Sequence, residues 1–221
     1  MKKKTWILPL IITICTGIII LTYWLGAYLY NEKNRGLSAA ELLAVNPDYM
    51  GTIEIPGLLK ADVVQGQNNS FYLTHAFDKT ENKYGCPFID AKWSPASSNL
   101  VIYGHNNLNG TAFSDLVQYD GGQNFVQEHS EIVFTDKEGV KHLYNVLAVL
   151  NFDVSMQDYT NPYSLTLPEN YFEMYRRYSL FIDSTAVISP NEKYITLSTC
   201  FEKYHGKNGR IIVIGKENRP A

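Results

Sequence analysis

Cysteine is scarce: three residues in 221 exclude a domain built on a disulfide framework. Charge is also thin, at 19% of the chain, and neither sign dominates. A net charge of -3 leaves no global basic field, which argues against a nucleic-acid partner. No Cys-x-x-Cys occurs, and His75, His129, His142 and His205 lack ligand spacing, so no metal is expected. The scattered acidic residues form no calcium-loop pattern, and no cofactor is implied. Internal repeats and low-complexity tracts are lacking as well. What remains is a globular composition, 45% hydrophobic and 13% aromatic, of a length that suits one domain plus a short accessory segment.

The accessory segment is N-terminal. Lys2, Lys3 and Lys4 precede 27 uncharged residues from Thr5 to Asn31. As a helix that run reaches about 40 Å, against a hydrocarbon core of about 30 Å. It exceeds the apolar region of a cleavable leader, usually about 7–15 residues, and Leu25-Gly26-Ala27 is a poor cleavage site. Trp6, Tyr23, Trp24 and Tyr28 lie near its ends, as interfacial aromatics do. The expected order is a cytoplasmic basic tail (1–4), a transmembrane anchor (5–30), a linker (31–37) and an extracellular domain (38–221). The lysines should stay inside, so the chain is expected at the plasma membrane, single-pass, with its domain outside.

Ser38-Ala39-Ala40-Glu41 fits a capping box, so a short helix should follow and stop near Asn46-Pro47. The rest reads mainly as strands: Ile53–Ile55, Val63-Val64, Phe88-Ile89, Leu100–Tyr103, Ile132–Phe134, Leu143–Leu150, Tyr194–Thr199 and Arg210–Ile214. Thr166-Leu167-Pro168-Glu169 is a second capping box. Tyr171, Tyr175 and Tyr178 then share one helical face, which predicts a helix over about 168–179. So many short strands need their edges covered. The fold class expected is therefore mostly β, a closed barrel with two or three short helices.

Three residues carry the candidate chemistry. Cys200 ends a predicted strand, where a thiol either packs as a small hydrophobe or points into a cleft. Arg210 lies ten residues on, after a loop with Gly206 and Gly209. If the two strands are neighbours, its permanent cation returns beside Cys200 and could stabilise an oxyanion. His105 follows the strand Leu100–Tyr103, and an imidazole can move the proton a thiol loses and a leaving amine gains. Local pattern alone does not choose it over the other four histidines.

Leu197-Ser198-Thr199-Cys200 followed by Arg210 resembles the TLxTC…R signature of sortases, and Leu100–His105 resembles the segment carrying the sortase histidine. Asn46-Pro47-Asp48 through Ile55-Pro56-Gly57 looks like the opening block of class B sortases; Val63–Gly66, Phe71–Leu73 and Gly110–Leu116 resemble further blocks. The resemblance runs from about residue 37 to 216 and is most like class B. It implies a sortase-type barrel of about eight strands, with an N-terminal helix and one before the catalytic strand. It implies a cysteine transpeptidase that cuts a C-terminal sorting signal after threonine, through a Cys200 thioester. His105 would be acid and base and Arg210 the stabilising cation. Ser198, Thr199 and Asn106 are the candidate substrate-binding residues. The implied partners are surface proteins bearing the signal and an amine of a peptidoglycan precursor.

Two places depart from the pattern. Cys86 stands where the family commonly has Ser or Ala and reads as a packing residue. Phe201–His205 follows no family constant. A cysteine hydrolase or a pilin-polymerising sortase would use the same three residues. A tethered binding module without catalysis would need none of them.

Overall fold

The computed structural model describes residues 36–107, 112–155 and 162–218. The expected basic tail, anchor and most of the linker lie outside these residues. Among the described residues, no helix is long and apolar enough to cross a membrane. The chain divides into Met1–Ser38 and Ala39–Ala221, and the second unit holds every helix and strand named below.

Helix α1 (Ala39–Val45) begins within the first capping box, directly after Ser38. Nine strands follow: β1 (Tyr49–Ile55), β2 (Leu59–Val64), β3 (Phe88–Ile89), β4 (Asn99–Tyr103), β5 (Glu131–Asp136), β6 (Lys141–Asp153), β7 (Ser179–Ile182), β8 (Tyr194–Cys200) and β9 (Gly209–Glu217). Their order is β5-β1-β2-β3-β4-β8-β9-β6-β7, and β5 also pairs with β6. That last pairing closes eight strands into a ring and leaves β7 attached outside it. Closure removes the exposed edges that an open sheet would present. The β2–β3 and β4–β8 pairs are parallel, and the other pairs are antiparallel.

The side-chain period of two sorts the core. In β1, Tyr49, Gly51, Ile53 and Ile55 are buried while the residues between them are partly exposed. Ile53, Ile55, Val63, Ile102, Ile132, Ile195, Leu197, Ile211 and Val213 belong to one core cluster, inside the barrel. The alternate residues of β9, Ile212 and Ile214, join a second cluster with Leu150 and Phe152 of β6 and with Leu167, Tyr171 and Tyr175. Strand β9 is thus buried on both faces, which is why Ile211-Ile212-Val213-Ile214 is a continuous apolar run. Each of those side chains contributes about 1.5–3 kcal/mol by burial.

The outer cluster forms beneath helix α3 (Tyr171–Tyr175), which ends in a 3-10 turn, Arg176–Tyr178. The helix is shorter than the expected span of 168–179. It starts after Asn170 rather than at the Thr166 box, and Ser179 already belongs to β7. Tyr171, Tyr175 and Tyr178 do share a face, packed against Phe152 and one another. Helix α2 (Gln123–Glu128), the 3-10 turn Ser114–Gly121 and β7 go beyond the elements that the sequence pattern predicts. Their sequences are short and mixed, and tertiary contacts decide them. Helix α4 (Glu202–His205) and a 3-10 turn, Gly206–Asn208, shape what reads as a plain loop between β8 and β9.

Candidate active site

Strand β8 carries Cys200 at its C-terminal end, and β9 runs back beside it. In that antiparallel register, Cys200 and Arg210 are direct partners. On the other side β4 is parallel to β8, with Tyr103 opposite Ser198. Gly104 N–H donates to the Ser198 carbonyl at 3.1 Å, so the chain leaves β4 alongside β8 and delivers His105 to the thiol. Three residues spread over half the sequence therefore meet at one rim of the barrel.

All three are half-buried. His105 and Cys200 are neighbours at this rim, and hydrogen bonding between them is the largest influence on the titration of each. His105 Nε2–H donates to the Leu73 carbonyl at 2.8 Å. A carbonyl only accepts, so Nε2 carries a proton and Nδ1 is the nitrogen left for the thiol. The hydrogen bond from His105 holds the Cys200 thiol below its ordinary range. Burial opposes this, the charges of Arg210 and His105 reinforce it, and Glu202 works against it. The same bond holds the His105 imidazole above its ordinary range. Burial opposes, the Leu73 carbonyl and the Cys200 charge add, and Arg210 subtracts. Both shifts favour a thiolate beside an imidazolium.

Arg210 is held by backbone. Its Nη1 donates to the carbonyls of Gly209 at 2.7 Å and Lys207 at 3.0 Å. The loop that supplies those carbonyls is fastened in turn. Phe201 N–H donates to Gly209 O and Val154 N–H to Asn208 O. Asp120 takes an ion pair from Lys203 and a 2.9 Å hydrogen bond from the Tyr204 hydroxyl. The unfamiliar Phe201–His205 stretch is thus pinned next to Cys200, although none of it lines the cleft over the thiol.

A cleft of about 470 Å³ opens over the thiol. Ser198 faces it from the same side of β8 as Cys200, and its hydroxyl donates to Tyr163 Oη at 3.1 Å. Thr199 departs from expectation. The pleat turns its side chain inward with Ile195 and Leu197, and its Oγ1 is buried without a hydrogen-bond partner. It borders the cleft but offers no hydroxyl to it. Asn106 Nδ2 donates to the Cys200 carbonyl at 3.1 Å, so it ties the histidine segment to the end of β8.

Six further side chains line the cleft: Asn69, Leu73, Phe88, Tyr103, Val154 and Tyr163. Tyr103 packs edge-on to Tyr163, and its hydroxyl donates to the buried Asp90 carboxylate, which also accepts from Asn69. Leu73 lies in a block that resembles class B. Tyr163 carries no local signal, since it sits in irregular chain between β6 and α3. Cys86 is buried in a separate cluster with Val64, Tyr72 and Phe88, and burial pushes its thiol up to about 12. Its packing role stands: its neighbour Phe88 lines the cleft, but Cys86 does not.

Residues 53–218 match the sortase domain family. The chain is 29% identical over 188 residues to Sortase B of Staphylococcus aureus, spanning 78% of this chain and 71% of that one. It is 23% identical to Sortase B of Listeria monocytogenes, over 98% of each chain. The structure of Clostridium perfringens sortase B shares the fold with a TM-score of 0.70 and 29% identity, covering 82% of this chain and all of that one. The S. aureus sortase B–substrate complex shares it at 0.67 and 24%, covering 88% and 92%. With the barrel and these relatives in view, the chain belongs to the sortase family of cysteine transpeptidases, alongside class B members.

Proposed function

We propose that this chain is a membrane-anchored transpeptidase in which Cys200 is the nucleophile, His105 the acid and base, and Arg210 the stabilising cation. The observation that carries this is one register. Cys200 and Arg210 are paired across β8 and β9, and β4 leads His105 into the same cleft.

The Cys200 thiolate attacks the carbonyl carbon of the threonine in a C-terminal sorting signal. Negative charge moves to the carbonyl oxygen, where the Arg210 guanidinium meets it. The C–N bond breaks, and the His105 imidazolium gives its proton to the departing amine. A thioester on Cys200 remains. An incoming amine, from a peptidoglycan precursor, then loses a proton to His105 and displaces the thiolate. Ser198 and Tyr163 line the groove that holds the signal. Asn106 acts by joining the histidine segment to β8 rather than by touching the signal. The cargo is a surface protein, and the run at residues 5–30 holds the enzyme at the membrane with its barrel outside.

The test is incubation with a library of x-P-x-T-x peptides, with and without oligoglycine or a diaminopimelate-type amine. Mass spectrometry follows the adduct on Cys200, with Cys200→Ala and Arg210→Ala as controls. An acyl adduct plus an amine-linked product is expected. Cleavage to the free acid alone, whatever the amine, would make the chain a hydrolase. Intact peptides with no adduct would remove the catalytic assignment.

A further inference from the structure

Among the described residues, no carboxylate accepts from His105. Its orienting partner is the carbonyl of Leu73. That carbonyl ends the short 3-10 turn Phe71–Leu73, within a long irregular stretch between β2 and β3. A surface turn holds a histidine only as firmly as the turn itself is held.

Tyr72, in the middle of this turn, is fully buried. Its hydroxyl donates to Asp48 Oδ2 at 2.7 Å and accepts from Asn46 Nδ2 at 2.9 Å. Asn46 is also fully buried, and its Nδ2 makes a second bond to Phe77 O at 2.6 Å. Its Oδ1 accepts from Asp48 N–H, and Asp48 pairs with Lys79 at 2.9 Å. The Tyr72 carbonyl accepts from Cys86 N–H at 3.0 Å. Both ends of Tyr72 are therefore fixed, one by the segment just after α1 and one by the segment just before β3.

We infer that Asn46, Asp48 and Tyr72 are positioning residues for His105, which fix the Leu73 carbonyl and through it the ring nitrogen that faces Cys200. The inference rests on the proposed His105–Cys200 pairing. It gives the segment after α1 a part in the chemistry, at a distance from the thiol. A merely structural grip would lower stability and leave the chemistry of each folded molecule unchanged.

The test uses the full chain with Tyr72→Phe, Asp48→Ala and Asp48→Asn, and with His105→Ala as reference. The rate of iodoacetamide alkylation at Cys200 is followed against pH by peptide mapping, which needs no sorting peptide. The charged groups facing Cys200 are His105, Arg210 and Glu202, and those facing His105 are Cys200 and Arg210. Tyr72→Phe and Asp48→Ala leave all of them in place. Both should move the alkylation midpoint upward, toward that of His105→Ala. Turnover of the motif peptide should lose about tenfold in kcat with KM within about twofold. Asp48→Asn keeps an acceptor for the Tyr72 hydroxyl and should recover most of the loss. Should Tyr72→Phe not fold, the half-buried Asp48 pair carries the comparison. Alkylation profiles matching wild type, with only the melting temperature lowered, would overturn the inference. A midpoint unmoved even in His105→Ala would instead overturn the catalytic pairing, and the inference with it.

Discussion

A single methyl group added at Gly85 tests how tightly the histidine is seated. Gly85 has φ of +62°, a conformation that costs other residues about 1–2 kcal/mol. An alanine Cβ there would lie 2.6 Å from the Tyr72 carbonyl oxygen, 2.9 Å from His105 Cδ2 and 3.0 Å from the Leu73 carbonyl oxygen. Two of those atoms are backbone, so relief falls on the imidazole or on the whole turn. Overpacking of this kind costs about 1–3 kcal/mol, and the two effects together cost about 2–5 kcal/mol. For a domain of this size, each kcal/mol lowers Tm by about 2–4 °C. Gly85→Ala should therefore melt at least about 4 °C below wild type by circular dichroism. Below that temperature, displacement of the ring by about 1 Å should cost about 100-fold in peptide turnover. Alkylation of Cys200 at neutral pH should slow as well, because the thiolate loses its partner. A variant that melts within about 2 °C of wild type and turns over within about twofold would refute this account of the seat.

Three other outcomes follow from the described contacts. Ser198→Ala removes the donor to Tyr163 Oη and should cost about 1 kcal/mol, read as a roughly fivefold rise in KM for the sorting peptide. At about pH 8, iodoacetamide should modify Cys200 and spare Cys86 in peptide mapping, because burial leaves Cys86 almost wholly protonated. His142 lies between Glu217 at 2.8 Å and Asp136 at 3.3 Å. Desolvation pulls its pKa down, but the hydrogen bonds and charges of the two carboxylates outweigh it and leave it raised. A raised pKa gives stability that is full below the unfolded value of about 6.5 and is lost as pH rises through the folded one. Tm should therefore decline from about pH 6 toward about pH 8 more steeply in wild type than in His142→Gln.

Much of the site is legible in the amino-acid sequence. Strand ends place Cys200 and His105, and the ten-residue interval brings Arg210 back to the start of the next strand. The barrel class follows from short apolar runs of strand period separated by Gly, Asn and Asp. Legibility falls where tertiary contacts override local signals. The Thr166 capping box and the tyrosine face both favour a helix, yet the helix begins only at Tyr171; at its other end Ser179 belongs to β7, where pairing with β6 outweighs local propensity. Nearness to Cys200 marks Thr199 as a groove residue, and the pleat turns it inward.

The sequence by itself determined the family, through its motif blocks, the place of most strands along the chain, and Cys200, His105 and Arg210 as the candidate chemistry, because motif and strand period are carried by neighbouring residues. Only the tertiary structure decided that β5 returns to β6 and closes the ring, and that β4 lies parallel to β8. It alone set Tyr163 beside Ser198, and a backbone carbonyl from residue 73 against the histidine. These are pairings between segments far apart in the chain. They depend on strand register and on the burial of whole faces, which no local pattern encodes.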